Sequence, residues 1–138
     1  MRKRSLAREY ALQILYEIDI THDEYAQILG TFWHLIEDDV SDEIKKFAAE
    51  LVELVMLHRD DIDKKIMQYA TNWELDRMAV VDRNVLRLCG CELLYRPDIP
   101  PKVSINEAVD LAKKFSGLPA GKFVNGILDK IKSEKELK

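Results

Sequence analysis

Long apolar runs are missing from this chain: none exceeds four residues, the length of Leu54 to Leu57, where a membrane-spanning helix needs about twenty. Arg8 interrupts the basic start before the apolar segment of a signal peptide forms, so a cytoplasmic protein with no membrane segment is expected. Glycine and proline are scarce, five and four in 138 residues, which excludes collagen-like and low-complexity chains. Cysteine is scarcer still. Cys89 and Cys91 stand two apart in an apparent helix, on nearly opposite sides, so they cannot bridge each other without breaking it and free thiols are expected. A zinc site wants four close ligands, but there is no second cysteine pair, and His22, His34 and His58 are isolated; no metal and no cofactor are expected. What is present, 47% hydrophobic and 33% charged residues, suits one globular domain over residues 1–138 whose core needs no staples.

The net charge of −4 hides a strong asymmetry. Residues 1–16 set Arg2, Lys3, Arg4 and Arg8 against Glu9 alone, a net +3. Residues 17–63 hold fourteen acids against Lys45, Lys46 and Arg59, a net −11, and the remainder carries +4. A local basic arm binds a polyanion despite an acidic average, because contacts within a Debye length of about 8 Å outweigh distant charge. The same four bases also fit a solvated, frayed terminus.

Helical periodicity covers nearly the whole chain. From about Arg4 to Ile20, Ala7, Ala11, Ile14 and Ile18 fall on one helical face. A second helix from about Asp23 carries Tyr25, Ile28, Leu29, Phe32 and Ile36, and a third from near Ser41 carries Ile44, Phe47, Ala48, Leu51 and Val55. Asp60 to Ala70 is a short fourth, closed by Thr71–Asn72. The fifth, from there to about Tyr95, is apolar over most of its circumference and belongs in the middle of the domain. Pro97, Pro100 and Pro101 end it, and Ser104 with Glu107 reads as a capping box opening a sixth helix with Ala108, Leu111, Ala112 and Phe115 inward. Gly117 suits a left-handed C-terminal position, and a seventh helix opens near Pro119 with Val124, Ile127, Leu128 and Ile131 inward. No β-alternating segment competes, so the fold class is all-α, with about seven helices.

Catalytic readings find no support. Gly117 to Lys122 has three residues between its glycines where a phosphate loop needs four, and Phe123 where a metal-binding hydroxyl belongs. Asp38–Asp39 and Asp60–Asp61 sit at helix boundaries, where they neutralise the positive end of the next helix. No catalytic residue is therefore expected. A binding surface remains: on the first helix Glu9, Gln13 and Tyr16 form a stripe roughly opposite Ala7, Ala11 and Ile18. Cations for phosphate, a ring for stacking and an amide for base edges are what single-stranded RNA recognition uses. Tyr16 covered by another helix of the same fold is the competing reading.

From Trp73 onward, WELDRMAVVDRNVLRL, CELL, DIPPKVSINEAVDLAKKF and GKFVNGILDKI closely resemble the NusB family of bacterial transcription antitermination factors. The N-terminal RKRSLAREYALQILYEID looks like that family's arginine-rich motif and first helix, while residues 20–70 share only its helical pattern. The resemblance implies seven helices in two packed helical bundles, no enzymatic activity, and no cofactor. It also implies binding of single-stranded boxA RNA of nascent ribosomal transcripts, together with the small-subunit ribosomal protein NusE, in an RNA polymerase antitermination complex.

Carried over position by position, the resemblance implies RNA contacts from Arg2, Lys3, Arg4 and Arg8, from Gln13 and Tyr16, and from Lys122 and Phe123 at the start of the last helix. It implies that Asp82, in VDRNVLR, faces NusE. Glu92, on the more buried side of the same helix, reads as one half of a structural ion pair. The chain departs from the family pattern at Leu118–Pro119–Ala120–Gly121, where an acidic or serine-bearing turn is common, and at Cys91, where an aromatic is common. Two other functions fit the same helices: an RNA-targeting module acting with an rRNA-modifying enzyme, and a homodimeric helical scaffold.

Overall fold

Seven α-helices form among residues 2–70 and 74–137, the part of the chain that the computed structural model describes. The first, α1 (Lys3–Thr21), buries Ala7, Ala11, Ile14 and Ile18 and stops where His22 turns left-handed at φ 62°. Helix α2 (Tyr25–Phe32) is shorter than its apolar spacing predicts, since a 3-10 turn (Trp33–Leu35) follows and Ile36 is extended. The tightened turn sets Phe32 and Trp33 edge to face at 5.0 Å, and both rings meet Tyr10 of α1, at 6.1 and 5.3 Å.

Ser41 caps α3 (Asp42–Leu57), its hydroxyl accepting from the Ile44 N–H at 3.4 Å, with Asp42 and Glu43 favouring the positive helix end. Helix α4 (Arg59–Tyr69) buries Ile62 and Ile66; the Thr71–Asn72 stop lies outside the described residues. The fifth helix starts later than expected: Leu75–Arg77 is a 3-10 turn and Met78 is extended and buried, so α5 (Val80–Tyr95) begins only after the chain has placed Met78 in the core.

Helix α5 packs against α1, α3, α4, α6 and α7, as its nearly all-round apolar surface requires. It is the element shared by two bundles, α1 to α3 on one side and α4, α6 and α7 on the other. Its buried polar side chains Asn84, Arg87 and Glu92 are all hydrogen-bonded. Asp19 of α1 accepts from Arg83 at 2.7 and 2.8 Å, from Asn84 at 2.9 Å and from Arg87 at 3.0 Å, and Arg87 reaches on to Asp63 of α4 at 2.8 Å. Cys89 and Cys91 are free and buried, and burial pushes both thiols up, Cys91 to about 12, so neither is a reactive thiolate at neutral pH.

Helix α6 (Pro101–Ser116) opens one turn before the expected capping box. Pro101 stands at its start, where a fixed φ and a missing N–H cost nothing. Ser104 is inside the helix, where it donates to Glu92 at 2.8 Å. Gly117 has positive φ, 99°, as expected, but with ψ 172° it is an extended link and not a left-handed cap. From it α7 (Leu118–Glu136) returns along α6 so closely that a Cβ on Gly121 would stand 2.8 Å from Lys113 Cγ.

Candidate nucleic-acid interface

The first helix distributes the residues of the basic start over three environments. At 100° per residue, Arg8 falls beside the apolar stripe that holds Ala11 and Leu15, and it is enclosed at 2% exposure. Its guanidinium donates to Glu92 at 2.8 and 2.9 Å and lies 3.7 Å from Glu107. Arg8, expected to contact RNA, is thus enclosed, with its Nε and one terminal nitrogen hydrogen-bonded to Glu92, which is itself 1% exposed. Glu92 is the structural ion-pair partner expected of it.

Lys3 and Arg4 turn toward α3. Lys3 is exposed and pairs with Glu43 at 2.9 Å, while the Arg4 guanidinium stands over the Phe47 ring, 4.5 Å from its centroid. Arg2 points the other way, to a cleft between α1 and α6 that it lines with Ser5, Glu9, Asn106, Glu107 and Lys114. Lys114 donates to Glu9, and the Ser5 hydroxyl to Glu107, so this cleft is a mixed polar surface.

Further along α1, Gln13 is exposed and Tyr16 is 44% exposed, so the ring is not covered by a neighbouring helix. Both open on a shallow groove whose other walls are Leu12, Glu17, Phe32, Val81 of α5 and Phe115 of α6. Phe115, expected inward, is 43% exposed, with Lys114 Nζ 5.5 Å from its ring centre. It belongs to the last turn of α6; no spacing rule marks it, although Lys113 and Lys114 before it already announce a surface. Two exposed rings therefore share a groove with an exposed amide.

Lys122 is exposed and Phe123 half-buried against the core, one helix away, linked to this face through the close α6–α7 crossing at Gly121. Leu118, in the turn where the chain departs from the family pattern, is 71% exposed. Asp82 is half-buried next to Val81 of the Tyr16 groove, and its Oδ1 is enclosed with no hydrogen-bond partner among the described residues. A buried acceptor left unpaired is a cost that an incoming donor removes.

Among the described residues no group of three or more His, Cys, Asp or Glu side chains is placed to hold a metal ion. No described helix is long and apolar enough to cross a membrane.

The model of the NusB family matches residues 5–133. The transcription antitermination protein NusB of Myxococcus xanthus (strain DK1622) is 49% identical over 133 residues, 95% of each chain. Among solved structures, NusB of T. maritima superposes with a TM-score of 0.85 at 35% identity, covering 95% of this chain and 91% of that one. A chain from the structure of the antitermination factors NusB and NusE in complex with dsRNA superposes with a TM-score of 0.83 at 31% identity, covering 97% and 98%.

Proposed function

This chain belongs to the NusB family, and on that premise we propose that it is a transcription antitermination factor that binds boxA RNA of nascent ribosomal transcripts together with NusE, within the RNA polymerase antitermination complex. The observation that carries the RNA half of this reading is the groove on α1: Tyr16 and Phe115 offer exposed ring faces beside the Gln13 amide. Rings stack on unpaired bases whatever their sequence, and an amide reads base edges. Arg2, Lys3 and Arg4 supply phosphate contacts at one end of α1, and Lys122 with Phe123 a second patch beyond α6. Arg8 has no part in the contact set.

NusE belongs on the acidic side. The net −11 of residues 17–63 attracts a basic ribosomal protein. Asp82, whose enclosed Oδ1 has no hydrogen-bond partner among the described residues, stands next to Val81 of the Tyr16 groove and is the residue proposed to face such a partner. In this reading the protein makes no covalent change in the RNA.

Filter binding with boxA RNA and a scrambled strand of equal length, with and without NusE, tests the reading. Preference for boxA that NusE strengthens supports it; equal retention of both strands in both conditions refutes it.

A further inference from the structure

The cleft between α1 and α3 is a second basic surface, turned away from the Tyr16 groove. Its floor is the Phe47 ring, and three guanidinium groups stand around that ring, Arg4 at 4.5 Å from the centroid, Arg96 at 5.4 Å and Arg8 at 5.5 Å. Two of the three are committed elsewhere: Arg8 to Glu92, and Arg96 to Asp98 at 2.9 Å and Glu50 at 3.5 Å. The two carboxylates that line the cleft are committed as well, Glu50 to Arg96 and Glu43 to Lys3 at 2.9 Å. Two cations are left over. Arg4 of α1 and Lys46 of α3, both exposed and both lining the cleft, have no carboxylate within 4.0 Å among the described residues.

An arginine set against an aromatic ring keeps its N–H edge available, and its planar fork matches phosphate. The cleft thus presents one oriented guanidinium and one mobile ammonium, from two different helices, with the neighbouring acids already neutralised. We propose that it is a phosphate subsite for the RNA strand, in which Arg4 and Lys46 each hold a phosphodiester, with Phe47 as the positioning residue for Arg4. This rests on the RNA-binding reading above and extends the strand's path across α3. Arg4 and Tyr16 are twelve residues apart on α1, about 18 Å at 1.5 Å per residue, so only a strand long enough to span that distance reaches both.

The test is a salt series with the full chain and single-stranded RNAs that share the boxA core and carry progressively longer flanks. With long strands, Lys46→Ala should lower the magnitude of the slope of log K against log salt by about 0.7, and Arg4→Ala with Lys46→Ala by about 1.4, the values for one and two contacts to a single strand. Lys46→Arg should restore the slope, the shortest strand should show no Lys46 effect, and the melting temperature should not move. In a Phe47→Leu background the Arg4→Ala effect on the slope should shrink, which a purely structural role for the ring does not produce. Inorganic phosphate at matched ionic strength should not displace the RNA; displacement that depends on Lys46 would mark a free-anion site and overturn the proposal. An unchanged slope for Lys46→Ala, with the unaltered protein binding RNA normally, overturns it too. Failure of the unaltered protein to bind any strand removes the RNA-binding reading itself.

Discussion

Removing the Arg8 guanidinium leaves Glu92, 1% exposed, with only the Ser104 hydroxyl to hold a buried charge. Breaking one side of a buried pair costs about 3–5 kcal/mol, so Arg8→Ala should lose that much stability in urea unfolding while its RNA affinity per folded molecule stays unaltered. Normal stability with lost RNA binding would return Arg8 to the interface. Tyr16 carries the opposite expectation. With 44% of its surface open, Tyr16→Ala should cost about 1–3 kcal/mol of RNA binding, the worth of one stacked base, with the unfolding midpoint nearly unchanged; a destabilised variant with intact affinity contradicts the stacking role. The outward positions of Gln13 and Tyr16 were legible because helical period alone places them opposite Ala11 and Ile18, whereas Glu9 on the same stripe is largely covered and paired with Lys114. Arg8 was misread because a basic cluster looks like one surface in sequence, although the same period puts Arg8 beside Leu15 and away from Arg2. Its partner Glu92, an acid on the buried side of α5, was the signal that a base had to come inside.

Among the elements, α1, α4 and α5 are joined by one charge network centred on Asp19. Burial by itself raises the Asp19 carboxyl, but the hydrogen bonds from Arg83 and Asn84 and the charges of Arg87 and Arg83 outweigh it and bring it to about 2, against an ordinary 3.8. A carboxyl depressed in the folded state adds its full stability above its unfolded value and loses it as pH falls through the folded one. The network should therefore supply about 2 kcal/mol that disappears between roughly pH 4 and pH 2. Urea unfolding across that window should show the loss, and Asp19→Asn should flatten it while lowering stability at neutral pH; an unaltered acid limb contradicts the assignment. At the α6–α7 link, Gly117→Ala forces φ 99° and ψ 172° on a residue with a Cβ. About 1–3 kcal/mol of destabilisation is expected in thermal unfolding, and a neutral effect would show that the link relaxes. All seven helices could be located from apolar spacing, and the Ser41 cap from its residue type. The errors fall at ends where tertiary contacts decide: aromatic packing on Tyr10 shortened α2, Met78 delayed α5, and Pro101 opened α6 before Ser104, whose hydroxyl was needed by Glu92. The exposure of Phe115 was hidden because its spacing continues the apolar stripe of Ala108, Leu111 and Ala112 into the last turn of α6.

At the scale of the whole molecule, the chain combines the basic start of α1 and the ring-lined groove of α1 and α6 with a stretch, residues 17–63, that carries a net −11. In the proposed function, such a platform offers separate contacts to an anionic strand and to a cationic protein. In the proposed function Val81 lines the RNA groove and Asp82 stands next to it, so the two ligands would meet at the start of α5 and their binding is expected to be coupled. The most direct measurement is a four-sided calorimetric cycle, RNA and NusE each titrated into the protein alone and into its complex with the other. NusE should tighten boxA binding by about 5–150-fold, RNA should tighten NusE by the same factor, and Asp82→Lys should weaken the NusE step and the coupling while leaving RNA binding by the protein alone nearly unchanged. Independent binding of the two ligands, or full coupling in the Asp82 variant, would contradict the account.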